Sequence, residues 1–242
     1  GPGGRIVAAD VSGYVSKQGG NQKPVTVRRH VEFVAPLNGI RKVTAKRMYQ
    51  STSQTAQANH RTDVNMSAAI DFREQVNGRW KESEIKISFL DILVAACAKA
   101  LIEHPQANAS LREDGLHTFN YANVGIAVDT ERGLVVPVLA DADCLPLQEI
   151  SKRSRELIEK AREGRLTPAE MSGGTFTISN LGVYEIDSFT AILNPPESCI
   201  LAVGRIVNRV VPEGEKIVVR PMVTLSLTYD HQVLDGAPAA RF

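Results

Sequence analysis

A histidine and an aspartate four residues apart, His231 and Asp235, lie in the run Tyr229-Asp230-His231-Gln232-Val233-Leu234-Asp235-Gly236. Imidazole titrates near pH 6.5, at roughly the pH of its surroundings, so a histidine in a pocket at a strand's end can take and return a proton. The aspartate can orient that ring or support its loop. The same residues also read as a plain turn, because Asp-Gly favours turns and a lone histidine is often structural. A second candidate is Ser179, at the end of the alternating run in Gly173-Gly174-Thr175-Phe176-Thr177-Ile178-Ser179-Asn180-Leu181-Gly182. A strand-end hydroxyl can donate a hydrogen bond, and it becomes a nucleophile only with a base beside it. No Gly-x-Ser-x-Gly elbow occurs, which disfavours a serine-hydrolase triad. Cys97, Cys144 and Cys199 are odd in number, widely spaced and without a CxxC pair, so they read as reduced thiols in a reducing compartment. No metal site is expected. His60 reads as structural or surface.

The chain has 242 residues, 43% hydrophobic and 23% charged, enough for one large domain or two small ones. A net charge of +1 and an aromatic content of 5% give no signal for nucleic acid or membrane partners. No apolar run reaches membrane-spanning length.

The elements that must position these residues follow in order. Residues 1–15 read as a Gly-rich loop and a short helix, with Asp10 and Ser12 as caps. Residues 16–35 read as a linker containing the basic triplet Arg28-Arg29-His30. From residue 36 a helix opens, with Asn38 as its cap, and residues 60–65 alternate as a strand. Ser67–Trp80 reads as a helix capped by Ser67. Ile87–Glu103 is the strongest helix, with Ser88 and Asp91 in a capping pattern and Pro105 as its stop. Leu116–Phe119 and Val124–Val128 are expected as neighbouring strands of one sheet, followed by Leu134–Leu139 at a sheet edge or bulge because of Pro137. Leu147–Arg162 is an amphipathic helix stopped by Gly164, and Thr167–Glu170 is a capping box. Strands are expected at Thr175–Ser179, Phe189–Leu193 and Ile200–Val203. A hairpin of Ile206–Val211 and Lys216–Val219 comes next, then a strand at Met222–Thr228. Asp235 caps a final helix.

Asp230-His231-x-x-x-Asp235-Gly236 resembles the signature of the dihydrolipoyl acyltransferase (dihydrolipoamide acetyltransferase) components of 2-oxo-acid dehydrogenase complexes, and of their relative chloramphenicol acetyltransferase. The usual arginine after the histidine is Gln232 here. Four further stretches carry the resemblance: the opening helix Ile40-Arg41-Lys42, NVGIAVDTERGLVVPVL from Asn123, GGTFTISNLG from Gly173, and Asn194-Pro195-Pro196. Residues 1–15 are similar to the tail of the family's peripheral subunit-binding domain, which would be incomplete. Residues 36–242 resemble the catalytic domain, expected to stop short of its C-terminal segment. The resemblance implies an α/β fold, a chloramphenicol-acetyltransferase-like two-layer sandwich with a mixed sheet packed by helices. It implies transfer of an acyl group, acetyl by the look of its motifs, between a dihydrolipoyl thioester and coenzyme A. The lipoyl group would be carried on a separate domain outside this chain. His231 would be the general base, Ser179 the donor to the thioester oxygen, and Asp235 a residue that orients the loop. It further implies a homotrimer with His231 and Ser179 from different chains, and a larger cubic or dodecahedral core. The partners would be the decarboxylase and dihydrolipoyl dehydrogenase components, in bacterial cytoplasm or the mitochondrial matrix. Branched-chain or succinyl specificity, an antibiotic acetyltransferase and a catalytically idle core subunit are the alternatives.

Overall fold

The computed structural model describes residues 4, 6–17, 33–80 and 86–242. It divides into two compact units, Gly1–Leu37 and Asn38–Phe242. Among the described residues of the first unit is helix α1 (Ala8–Lys17). Asp10 lies within its first turn and accepts from the Val7 amide at 2.9 Å, so it caps from inside the helix, and Ser12 lies further in still. Most of the linker expected at residues 16–35, with Arg28-Arg29-His30, lies outside the described residues.

The second unit is a sheet with helices against one face. Its elements run α2 (Gly39–Gln54), β1 (Gln57–Asn65), α3 (Ser67–Arg79), α4 (Phe89–Glu103), β2 (Ala109–Arg112), β3 (Gly115–Thr118), β4 (Val124–Ile126), β5 (Val138–Leu139) and α5 (Leu147–Glu163). They continue with β6 (Phe176–Asn180), β7 (Cys199–Val203), β8 (Val207–Glu213), β9 (Lys216–Asp230) and α6 (Gly236–Arg241). The main sheet is ordered β1-β9-β7-β6-β4-β5, with β8 also on β9. The β4–β6 and β6–β7 pairs are parallel and the rest antiparallel, so the sheet is mixed.

Local chemistry sets the helices. Ser88 and Asp91 form a reciprocal capping box on α4: the Asp91 amide donates to Ser88 Oγ at 3.2 Å and the Ser88 amide to Asp91 Oδ2 at 2.7 Å. The apolar stripe of α4 then buries Val94, Ala98 and Leu101 completely. Each large side chain of that stripe contributes about 1.5–3 kcal/mol by leaving water. Helix α5 ends at Gly164, whose φ of 69° is the left-handed conformation that glycine adopts without a Cβ clash. Its Ile150, Leu157 and Ala161 join the α4 stripe over Phe176, Ile178, Leu201, Val223, Leu227 and Tyr229 of the sheet. The opposite face carries Ile200 and Ala202, covered by Ala191 and Leu193.

Several local expectations are corrected. Leu116–Phe119 is not a neighbour of β4: β3 pairs with β2 in a separate two-stranded sheet. Phe189–Leu193 forms no ladder and lies against the sheet's second face, where the Leu193 carbonyl accepts from Ser51 Oγ at 2.7 Å. Only Val138 and Leu139 of the expected 134–139 strand join the sheet, at its edge, with an isolated Val128–Val135 bridge before them. Ser67 does not precede its helix; Asn65 accepts from the Ser67 amide at 3.0 Å instead. Asn38 sits at the N-cap of α2 without a side-chain cap bond. The Thr167–Glu170 box exists but caps a single 3-10 turn, Ala169–Met171. The two strands expected at 216–219 and 222–228 are one continuous strand, β9.

Candidate active site

Strand β9 ends at Asp230, and the chain turns through His231 before entering α6. Asp230 is buried and holds this turn. Its Oδ1 accepts from the amides of Ala56 (3.1 Å) and Gln232 (3.0 Å), and Gln232 Nε2 reaches both carboxylate oxygens at 3.2 and 3.3 Å. The same Nε2 donates to the Gln54 carbonyl at 2.9 Å, and the His231 amide donates to the Ala56 carbonyl at 2.8 Å. The α2–β1 junction therefore fixes the backbone that carries His231. Gln232 keeps a donor at this place but brings no guanidinium charge to Asp230.

Tyr229 supports the turn from the core side. Its ring is buried, and its Oη lies 3.1 Å from His60 Nε2, which also lies 3.1 Å from the Gly236 carbonyl oxygen. The Tyr229 ring centroid is 5.0 Å from that of His60 and 5.8 Å from that of His231. Asp235 occupies the N-cap of α6 with extended backbone, but its side chain makes no cap bond. Its Oδ1 stands 3.5 Å from His231 Nδ1, with the two side chains 81% and 50% exposed. At that exposure the contact is screened and weak. Because Nδ1 faces Asp235, Nε2 is the nitrogen left for a reacting group.

Ser179 is half-buried on β6 and does not join this cluster within one chain. It pairs with Ala202 of β7, which pairs with Ser226 of β9. From Ser226 the strand runs on for about 17 Å to His231, and two strand spacings add about 10 Å across the sheet. The serine and the histidine thus occupy opposite ends of the sheet, roughly 20 Å apart.

A buried acid lies close to the serine's strand. Glu197 Oε2 is 2.5 Å from Thr177 Oγ1, and its Oε1 accepts from Asn194 Nδ2 at 2.9 Å. Burial pushes its carboxyl up to about 8, against the opposing pull of these two hydrogen bonds. Burial likewise pushes the Cys97 and Cys199 thiols up to about 12, which removes both as nucleophiles at neutral pH. Among the described residues no group of three or more His, Cys, Asp or Glu is placed to hold a metal ion. A cavity of about 570 Å³ lies instead on the helix side of the sheet and is lined by His60, Arg61, Leu93, Cys97, Leu227 and Phe242 among others. None of His231, Asp235 and Ser179 lines it, so cavity size does not mark the candidate site.

Sequence reading alone did not find the Asp230 carboxylate as the clamp of the turn, the His60–Tyr229–Gly236 support, or Glu197. His60 faces Leu227 across the β1–β9 ladder, a pairing that no local pattern reveals.

The second unit is thus a mixed sheet covered by helices on one face, with a histidine turn at one end and a serine at the other. The fold is shared with a chloramphenicol acetyltransferase at a TM-score of 0.52 and 16% identity, covering 86% of this chain and 94% of that one. Residues 30–242 match the catalytic domain of the 2-oxoacid dehydrogenases acyltransferase family, and the chain belongs to that family. A curated relative is the dihydrolipoyllysine-residue acetyltransferase component of the pyruvate dehydrogenase complex of Rickettsia prowazekii, 39% identical over 244 residues. The match takes in all of this chain and 59% of the relative, so the chain spans about three fifths of that relative's length. Among solved structures, the dihydrolipoamide acetyltransferase of Azotobacter vinelandii superposes with a TM-score of 0.85 at 34% identity, over 91% of each chain. That enzyme was studied for the roles of one serine, one histidine and one asparagine in its mechanism. Their spacing in that chain equals the spacing of Ser179, His231 and Asp235 here, with aspartate in place of the asparagine.

Proposed function

We propose that this chain transfers an acyl group, acetyl in the first instance, between a dihydrolipoyl thioester and the thiol of coenzyme A. The observation that carries the reading is the shared spacing of serine, histidine and the residue four beyond it, in a chain of this family. His231 Nε2 takes the proton from the coenzyme A thiol as sulfur attacks the thioester carbonyl carbon. The carbonyl oxygen becomes an oxyanion, which the Ser179 hydroxyl stabilises by a hydrogen bond. Collapse expels the dihydrolipoyl sulfur, and the imidazolium returns the proton to it. Asp235 orients the ring through Nδ1. The lipoyl group arrives on a domain outside this chain. Residues 1–15 are read as the tail of a subunit-binding domain and 16–35 as a linker.

Because Ser179 and His231 stand at opposite ends of one sheet, we assign each complete site to two chains, with His231 from one and Ser179 from its neighbour in a trimer. Larger cores of such trimers, with decarboxylase and dihydrolipoyl dehydrogenase components attached, follow from the same reading. So does a place in bacterial cytoplasm or the mitochondrial matrix.

The test is acetyl transfer from acetyl-dihydrolipoamide to coenzyme A by the native chain, His231→Ala and Ser179→Ala. Losing one oxyanion donor costs about 10²–10³ in kcat, so Ser179→Ala should fall by that order and His231→Ala at least as far. The two inactive variants, unfolded and reassembled together in equal amounts, should recover about one quarter of native activity, the fraction of shared sites with both native residues. Full activity of His231→Ala would refute the mechanism, and no recovery on mixing would refute the shared site.

A further inference from the structure

Glu197 is buried without a countercharge. It is 5% exposed, and its carboxyl takes two hydrogen bonds, from Thr177 Oγ1 at 2.5 Å and from Asn194 Nδ2 at 2.9 Å. Among the described residues no lysine, arginine or histidine pairs with it; burial and these two bonds are what act on its ionisation. Glycines make the space. A Cβ on Gly174 would stand 2.7 Å from Glu197 Oε1, and one on Gly125 would stand 2.8 Å from Thr177 Oγ1. Two side chains are thus forgone to seat the acid and its threonine. Glutamine would fill the same space with no proton to lose, whereas an acid here can change its charge.

The threonine connects the acid to the serine. Thr177 and Ser179 are two positions apart on β6, on the face opposite Phe176 and Ile178, which the helices cover. Their partners in β7, Ile200 and Ala202, share that face. Side chains at this spacing stand about 7 Å apart, so the Glu197 carboxyl lies roughly 10 Å from an oxygen held by Ser179 Oγ. The segment is also fixed toward the histidine end, where the Ser198 carbonyl accepts from the Asp230 amide at 2.9 Å. The titratable groups around it are Cys199 and, beyond it, Asp230. Burial holds the Cys199 thiol up at about 12, with Glu197 and Asp230 raising it further, so the thiol brings no charge. Asp230 is bonded to the Ala56 and Gln232 amides. From β5 the neighbour is Val138, which is uncharged.

Resting on the reading of Ser179 as the oxyanion donor, we propose that Glu197 is a positioning residue for acyl transfer: its uncharged carboxyl holds the Thr177–Ser179 face of β6 and keeps negative charge away from the oxyanion. Once ionised, it opposes the charge that develops in the transition state. Two like charges about 10 Å apart, at an effective dielectric constant of about 20, slow the step on the order of ten-fold. Burial brings that ionisation to a pKa of about 8, so transfer falls as pH rises through it.

The experiment measures kcat, and KM for coenzyme A, in transfer from acetyl-dihydrolipoamide between about pH 6 and 9.5. It compares the native chain, Glu197→Gln and Thr177→Val, with sedimentation and near-UV circular dichroism at each pH to match fold and size. The ratio of Glu197→Gln to native kcat cancels the ionisation of coenzyme A and of His231. It should be near one at the acid end and rise to about ten at the alkaline end, with KM alike in both. A merely structural role would change kcat by one factor at every pH. Thr177→Val should move the alkaline fall to higher pH, because the threonine hydroxyl favours the ionised carboxylate, and it decides alone should Glu197→Gln not fold. A flat ratio would overturn the proposal, as would a Thr177→Val profile that falls at the native pH; with transfer intact, either result leaves the acyl-transfer reading standing. A native chain that transfers no acetyl group at any pH would overturn that reading and this role with it.

Discussion

Glu197→Gln separates the effect of one buried acid from the rest of the fold. In the folded chain the Glu197 carboxyl is held up to about 8 by burial, whereas its ordinary value is 4.5. Below pH 4.5 the acid is neutral in both folded and unfolded chains, and its contribution is fully present. Between 4.5 and 8 the unfolded chain releases the proton and the folded chain keeps it, so stability falls as pH rises. Above 8 both forms are ionised and the loss is complete. At 1.36 kcal/mol for each pH unit of that interval, the loss is on the order of 5 kcal/mol. Glutamine has the shape of the neutral acid: its oxygen can accept from Asn194 Nδ2, and its amide can donate to Thr177 Oγ1 in place of the bond that the Thr177 hydroxyl donates to the acid. It carries no proton to lose. Urea unfolding of native chain and Glu197→Gln at pH 5, 6, 7, 8 and 9, at one fixed protein concentration, should give similar stabilities at pH 5. The gap should then widen in favour of the variant by several kcal/mol up to pH 8 and stay level beyond. Parallel curves across the whole range would refute the reasoning, because they would mean that Glu197 ionises alike in folded and unfolded chains.

Three further outcomes follow. Gly204→Ala should destabilise the fold by about 3 kcal/mol or more, since a Cβ there would press into the Asp187 backbone carbonyl, which has no side-chain freedom to yield; a thermal melt measures it. Gln232→Ala should cost about 1–3 kcal/mol in urea unfolding and lower acetyl transfer, because it removes the donors to Gln54 and to the buried Asp230 carboxylate. Asp235→Asn should leave kcat/KM within about five-fold of native, because a carboxylate this exposed, 3.5 Å from Nδ1, contributes at most about 1 kcal/mol; a hundred-fold fall would show that its charge matters.

The parts of the molecule that depend on near neighbours in sequence were legible. The Ser88–Asp91 box, the stripe of α4 and the stop at Gly164 each need only residues within a few positions of each other. His231 and Ser179 stand out in the sequence as candidates, the first from its ionisation range and both from resemblance, and their roles belong to the proposed function. Strand partners were not. β3 looked like a neighbour of β4 because it is close in sequence, yet it folds onto β2, whose Ala109 and Ser110 carried no strand signal. Phe189–Leu193 has strand composition but lies over the second face without a ladder, and composition cannot distinguish those places. Glu197 follows two prolines and reads as an exposed turn residue. Its burial depends on Thr177, twenty positions earlier, on a strand that pairs alongside β7.

Strand β9 takes part in three ladders, with β1, β7 and β8, and this bears on where the sequence can change length. One inserted residue between Met222 and Asp230 would reverse the facing of every side chain beyond it. Leu227 and Tyr229 would turn away from the helices, and the histidine turn would be re-aimed. Two inserted residues would preserve the facing but displace the turn by about 7 Å along the strand. Neither change can be absorbed locally, because the β1 and β7 ladders hold this part of the strand from both sides. The turn at Gly214, with its positive φ and no ladder beyond it, is where this half of the chain can accept insertions, so drift in length belongs at the tip of the β8–β9 hairpin and not along the strand that delivers His231.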